Sequence, residues 1–217
     1  MDKINLQLNV TAKWIITLIL LTTFAACSNK DKLEVKNANG IVIESYYVSK
    51  KDKTKKIGVY QKFYDDGKIA ESINYNSDGE QDGEHTSYFS NGKIMIKEEI
   101  KKNTNHGKYV SYYEDGNIEL DGFYKNNKMD SIWKSYYPNQ KNKLRYEATF
   151  KEGKFDGPYK EYFPNGNLMV SGNKIEIMDG MDVFDGEALV YDSLVNNKLI
   201  RKLQFQNGRQ TAKEEIN

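Results

Sequence analysis

The chain has 217 residues, 32 Lys and Arg against 31 Asp and Glu, and a formal net charge of +1, which excludes bulk electrostatic attraction to nucleic acid. Hydrophobic residues make up only 38% and mean hydropathy is −0.77, too lean for a thick two-layer core. With 16 Tyr, 9 Phe and 16 Gly but 3 Pro, the composition favours thin β-structure over a helical bundle.

Residues 1–26 read as a lipoprotein signal peptide. Lys3 and Lys13 supply the basic start, and Trp14 to Leu21 is almost wholly apolar. The apolar run to Ala26 spans 13 residues, short of the roughly 20 that a membrane-crossing helix needs. Phe24-Ala25-Ala26-Cys27 resembles a bacterial lipobox, with Phe24 where an aliphatic residue is usual. The resemblance implies cleavage before Cys27 and lipid attachment to it. Cys27 is the one cysteine, so no intramolecular disulfide exists. Cleavage removes Asp2, Lys3 and Lys13, leaving a formal charge of zero. Residues 27–40 are polar and weakly patterned, as expected of a flexible tether.

From residue 41 to about 210 the pattern is periodic. Ile41 to Ile43 and Tyr46-Tyr47 suggest an opening strand, and Lys50 to Lys56 a solvated basic loop. Six registers then begin at Gly58, Gly83, Gly107, Ser131, Gly157 and Gly186, spaced by 25, 24, 24, 26 and 29 residues. Two positions into a register stand Tyr60, His85, Tyr109, Trp133 and Tyr159; six positions in stand Tyr64, Phe89, Tyr113, Tyr137 and Phe163. Strand alternation puts both sets on one face and the intervening Phe63, Tyr88, Tyr112, Tyr136, Tyr162 and Tyr191 on the other. Next come Asp66-Gly67, Asn91-Gly92, Asp115-Gly116 and Asn165-Gly166, read as type I′ hairpin turns with positive φ at both residues. Leu199 to Phe205 suggests a closing strand and residues 211–217 a polar tail. The expected fold is therefore all-β: repeated β-hairpins in one elongated, twisted antiparallel sheet, stabilised by stacking of neighbours.

The pattern G-x-[YW]-x-x-[YF]-[YF]-x-[ND]-G-x-[IL] resembles the MORN repeat in its bacterial variant. Proteins of this kind are often named YwqK-type antitoxins. The resemblance implies a repeat scaffold and no catalytic residues.

The chemistry-bearing residues point the same way. His85 occupies a ring position and reads as a stand-in for Tyr or Trp, while His106 precedes Gly107 in a turn. No further His or Cys stands near them to complete a metal site, and the glycines belong to turns rather than a phosphate loop. Asp156, Asp182 and Asp185 cluster where turn chemistry favours Asp. No catalytic residue, metal or cofactor is expected. Besides the turns and Cys27, the candidate binding surface is the aromatic set Tyr60, Tyr64, Phe89, Tyr109, Tyr113, Trp133, Tyr137, Tyr159 and Phe163. The sequence thus points to a non-enzymatic, lipid-anchored scaffold of a bacterial cell envelope that binds a protein partner. Two alternatives stay open: an antitoxin-like component, and a carbohydrate or cell-wall-binding module using the aromatic faces.

Overall fold

The computed structural model describes residues 29–177, 181–195 and 198–216. All named elements are strands, and they form one sheet of 15 strands in sequence order, each antiparallel to the next. The strands open with β1 (Lys30–Lys36) and β2 (Val42–Ser49). The registers follow as hairpins: β3 (Gly58–Phe63) with β4 (Ile69–Tyr75), β5 (Gln81–Tyr88) with β6 (Ile94–Lys101), and β7 (Thr104–Tyr112) with β8 (Ile118–Lys125). Then come β9 (Lys128–Tyr136) with β10 (Leu144–Lys151), β11 (Lys154–Tyr162) with β12 (Leu168–Glu176), and β13 (Asp182–Tyr191) with β14 (Leu199–Gln206). The sheet ends on β15 (Arg209–Glu215). The meander of hairpins expected from the sequence is the observed fold.

Both ends differ from the sequence reading. Part of the expected tether is β1, paired with β2 from Lys30↔Ser49 to Lys36↔Val42. Most of the expected tail belongs to β15, paired with β14. β15 shows no apolar alternation and β1 only the exposed Leu33 and Val35, because an edge strand needs only backbone pairing and can keep charged side chains in water. Their charges also discourage edge-to-edge aggregation. The signal peptide and Cys27 lie outside the described residues.

The turns follow a different chemistry from that expected. Gly67, Gly92, Gly116 and Gly166 have φ between 82° and 95°, whereas Asp66, Asn91, Asp115 and Asn165 are not in the positive-φ region. Each of these glycines donates its N–H to the carbonyl three residues back, Tyr64 (2.9 Å), Phe89, Tyr113 or Phe163 (2.8 Å each). That is a type I turn followed by a left-handed glycine, the three-residue hairpin loop, with the register shift of a bulge beside it. The Asp or Asn oxygen accepts the N–H two residues on, in Lys68 (3.0 Å), Lys93 (2.9 Å), Asn117 (2.8 Å) and Asn167 (2.9 Å). This bond favours the side chains on the residue before the glycine without requiring them to enter positive φ. Turns with two positive-φ residues sit at the opposite sheet margin, at Lys102-Asn103, Asn126-Asn127, Glu152-Gly153 and Asn207-Gly208.

The glycines that open the registers are bulges inside or at the start of strands. Asn74 faces the segment carrying Gly83, Glu99 that carrying Gly107, and Thr149 that carrying Gly157. Their φ values of 114°, 134° and 127° lie where a Cβ is poorly tolerated. In the fourth register Ser131 takes that place with φ 63°, a left-handed conformation costly for a side-chain-bearing residue.

Candidate functional site

Strand pairing converts the register positions into rows that cross the sheet. The central row runs Tyr60↔Ile73↔His85↔Glu98↔Tyr109↔Gly122. It continues beyond the bulge as Trp133↔Ala148↔Tyr159↔Gly172↔Ala188↔Leu203. The five ring positions expected to share a face thus do share one. From Tyr109 to Tyr159, large rings alternate with Gly or Ala along the row, and the Trp133 indole lies against Gly122.

This alternation gives a one-sheet protein a core. Trp133 is 0% exposed, Ala148 1%, Tyr159 8% and Ala188 0%. The Trp133 indole contacts Tyr109 (5.5 Å between centroids), Tyr124 (5.0 Å, edge-on) and Phe150 (6.5 Å, edge-on), and its Nε1 donates to the Phe123 carbonyl at 3.1 Å. Such ring pairs add about 0.5–1.5 kcal/mol each beyond the area they bury. A Cβ on Gly122 would stand 2.2 Å from the indole. On Gly172 it would meet the Phe184 ring at 3.1 Å and the Ala188 backbone at 3.2 Å. Burial pushes the Tyr159 hydroxyl well up and that of Tyr60 up to about 12. Tyr60, Trp133 and Tyr159 therefore act mainly on their own neighbours, while Tyr109 remains partly exposed.

The second aromatic set stands at the turn end of the strands. The hydroxyls of Tyr64, Tyr113 and Tyr137 donate to the carbonyls of Tyr88 (2.5 Å), Tyr136 (2.8 Å) and Tyr162 (2.7 Å), each one register farther along. These bonds staple consecutive hairpins, which gives the second aromatic of the pattern a structural role. Phe89 and Phe163 hold the same position without a hydroxyl. On the opposite face, Tyr136 donates to Asp121 at 3.2 Å, and a row of Lys97, Val110, Asp121, Lys134, Glu147 and Lys160 largely alternates in charge. Lys56 in the basic loop lies over the rings of Tyr46 (4.8 Å) and Tyr60 (4.3 Å), and Lys53 pairs with Asp31.

Three features escaped the sequence reading. His85 does fill a ring slot, but its Nδ1 meets Glu98 at 2.8 Å and its Nε2 meets Glu71 at 2.9 Å. Asn105 donates to the other Glu98 oxygen at 2.8 Å. The bond to Glu98 raises the His85 pKa, with help from Glu71 and against the opposing effect of burial. Glu71 and Glu98 lie 14 and 13 residues away, so only the register reveals them. His106 lies within β7, not in a turn, with Nδ1 at 3.2 Å from Asn126 and its ring edge-on to Phe123. Lys174 places its ammonium 4.1 Å from the centroid of Tyr159, between Phe155 and Phe184, and pairs with Asp182 at 2.6 Å. Among the described residues, no group of three or more His, Cys, Asp or Glu is placed to hold a metal ion.

Beside the central row lies a second one, Glu71↔Ser87↔Ile96↔Ser111↔Leu120↔Ser135↔Tyr146. Serine at every second place makes notches between larger side chains. A depression of about 500 Å³ opens there, walled by Phe89, Tyr109 and Tyr146, with Ser111 and Ser135 in its floor. Ser111 and Ser135 are 6% and 8% exposed, and Ser111 donates to Glu119 at 3.1 Å. The Ser87 hydroxyl, in the same row, is buried without a hydrogen-bond partner.

No curated protein matches the chain. A solved structure titled "Crystal Structure of TarM" matches at 14% identity with a TM-score of 0.25, covering 65% of this chain and 24% of that one. The chain thus spans about a quarter of that protein. The family model described as the MORN repeat variant matches residues 56–77, 81–102, 105–126 and 155–173. These are the registers opened by Gly58, Gly83, Gly107 and Gly157; those of Ser131 and Gly186 are outside the matches. Over those four segments, the chain is similar to the MORN repeat variant.

Proposed function

We propose that this protein is a non-enzymatic repeat scaffold that binds a protein partner along its sheet, held at a bacterial membrane by lipid on Cys27. One observation carries the reading: every described element is a strand of the same sheet, and among the described residues no second layer covers either face. A long sheet with two open faces is a recognition surface, and extended surfaces of this kind are what repeat arrays offer partners. The non-enzymatic part is supported by His85, whose two ring nitrogens are both taken by carboxylates, and by the packing of the buried rings against one another. The anchor rests on the Phe24 to Cys27 sequence, since two or more acyl chains hold a soluble domain firmly where one does not.

Crosslinking in cells followed by mass spectrometry tests the scaffold. Recovery of a reproducible partner crosslinked to sheet residues is expected, and its absence would remove the proposal. Radiolabelled palmitate should enter the wild-type protein and not Cys27→Ala; equal labelling of the two would remove the anchor alone.

A further inference from the structure

We infer that the serine-notched depression on β6–β10 is a docking groove for a polyproline II segment of a partner protein, running across the strands and carrying one basic residue. This rests on the scaffold reading and names its partner chemistry.

The first argument is spacing. Ser111 and Ser135 are two strands apart in the same row, with Leu120 as the ridge between them. At about 4.8 Å per strand, the notches repeat every ~9.6 Å. A polyproline II helix places every third residue on one side, with a repeat of about 9.3 Å from three residues of ~3.1 Å. Residues i and i+3 of such a segment would fall into successive notches. An extended β-strand ligand fits less well, because its residues i and i+3 face opposite ways. Sheet twist accumulates at roughly 20–25° per strand, so the match belongs to a short groove and not to the whole array.

The second argument is lining. Phe89, Tyr109 and Tyr146 give aromatic walls of the kind on which proline rings pack, and the tyrosines carry hydroxyls. A polyproline II chain has no internal hydrogen bonds, so its carbonyls are free to accept from such groups.

The third argument is charge. Glu119 is the one ionisable carboxylate or amine of the lining, and no Lys or Arg belongs to it. The protein shows elsewhere what a cation does among these rings: Lys174 lies over Tyr159 between two Phe rings and pairs with Asp182. In the groove the carboxylate and rings are present, and the ligand would supply the cation.

The test uses the full chain and a fluorescein-labelled peptide of Pro-Ala-Pro triplets with a central arginine, read by fluorescence anisotropy at physiological salt. Saturable binding is expected. A peptide with glycine for each proline should bind about tenfold more weakly, because it must be ordered on binding. Glu119→Lys, at an exposed rim position, removes the carboxylate that accepts from Ser111 and should weaken the arginine peptide about fivefold more than an alanine-for-arginine peptide. Ser111→Leu, which fills a notch, should weaken both. Equal binding of the glycine peptide, indifference to Glu119→Lys, or binding of chitohexaose without the peptide would each overturn the proposal. Partners crosslinked in cells to the charged face instead would leave the scaffold reading standing and sink this groove.

Discussion

Replacing Gly122 by Ala is the most direct test of how a single sheet makes its core. The added Cβ would sit 2.2 Å from Cδ2 of Trp133, 2.4 Å from Cε2 and 2.6 Å from Cγ. Restoring an ordinary contact of about 3.5 Å moves the indole by roughly 1.3 Å. The ring has little room for that, with Tyr109 and Tyr124 centroids at 5.5 and 5.0 Å and Nε1 bonded to the Phe123 carbonyl. Overpacking of this sort costs about 1–3 kcal/mol, and losing the indole hydrogen bond adds about 1 kcal/mol. The expected destabilisation is therefore about 2–4 kcal/mol, or a melting point lower by roughly 4–16 °C for a chain of this size. Urea unfolding followed by Trp fluorescence in a Trp14→Phe background measures it, since Trp133 is then the sole tryptophan. Gly122→Ala combined with Trp133→Leu, with all variants of the cycle followed by circular dichroism, should cost at least about 1 kcal/mol less than the sum of the single changes. A single-variant effect within about 0.5 kcal/mol, or strict additivity, would refute the idea that Gly122 exists to seat the indole.

His85 should make stability depend on pH. Its pKa is raised by Glu98 and Glu71, so its contribution is complete below the ordinary value near 6.5 and is lost as pH rises through the folded value. Melting points at pH 5.5 and 8.5 should differ more for the wild type than for His85→Gln. Ser131→Gly should stabilise by up to about 1 kcal/mol, because glycine adopts the left-handed conformation without the Cβ penalty; denaturant midpoints decide it. Tyr113→Phe removes a staple and should cost about 0.5–1.5 kcal/mol, whereas Phe89→Tyr offers the missing hydroxyl and should recover a similar amount. Thermal unfolding of the two single variants checks both signs.

The hairpin order was legible because a glycine, two aromatics and a glycine turn recur at nearly constant spacing. Their alternation also put Tyr60, His85, Tyr109, Trp133 and Tyr159 correctly on one face. What stayed hidden depends on partners across strands. Gly122, Ala148 and Gly172 look unremarkable in sequence, and their role appears only when pairing sets each beside a ring. Register arithmetic could have placed Glu98 opposite His85, since both belong to one hairpin whose turn was identified. The turn geometry was misread because Asp-Gly and Asn-Gly serve both the two-residue and the three-residue loop, and the hydrogen-bond pairing decides between them. β1 and β15 were missed because KDKLEVK and RQTAKEE bury little, and backbone pairing leaves no mark on composition.

The repeat pattern itself argues about where a working surface belongs. Its recurring residues are occupied by the array: glycines relieve the bulges and turns, rings lie over small neighbours, and tyrosine hydroxyls hold the next hairpin. A ring buried in this way, as Trp133 and Tyr159 are, cannot also be spent on a partner without loosening its neighbours. Specificity must then come from positions where the copies differ, as they do along the row beside the rings. Phe89 lacks the stapling hydroxyl, and Ser111 and Ser135 hollow a row that reads Glu161 and Val190 in later copies. Glu119 leaves a carboxylate at the edge of that hollow. A partner reading these differences would bind at one place on an otherwise repetitive sheet, and a chain of identical copies would give it no register to prefer.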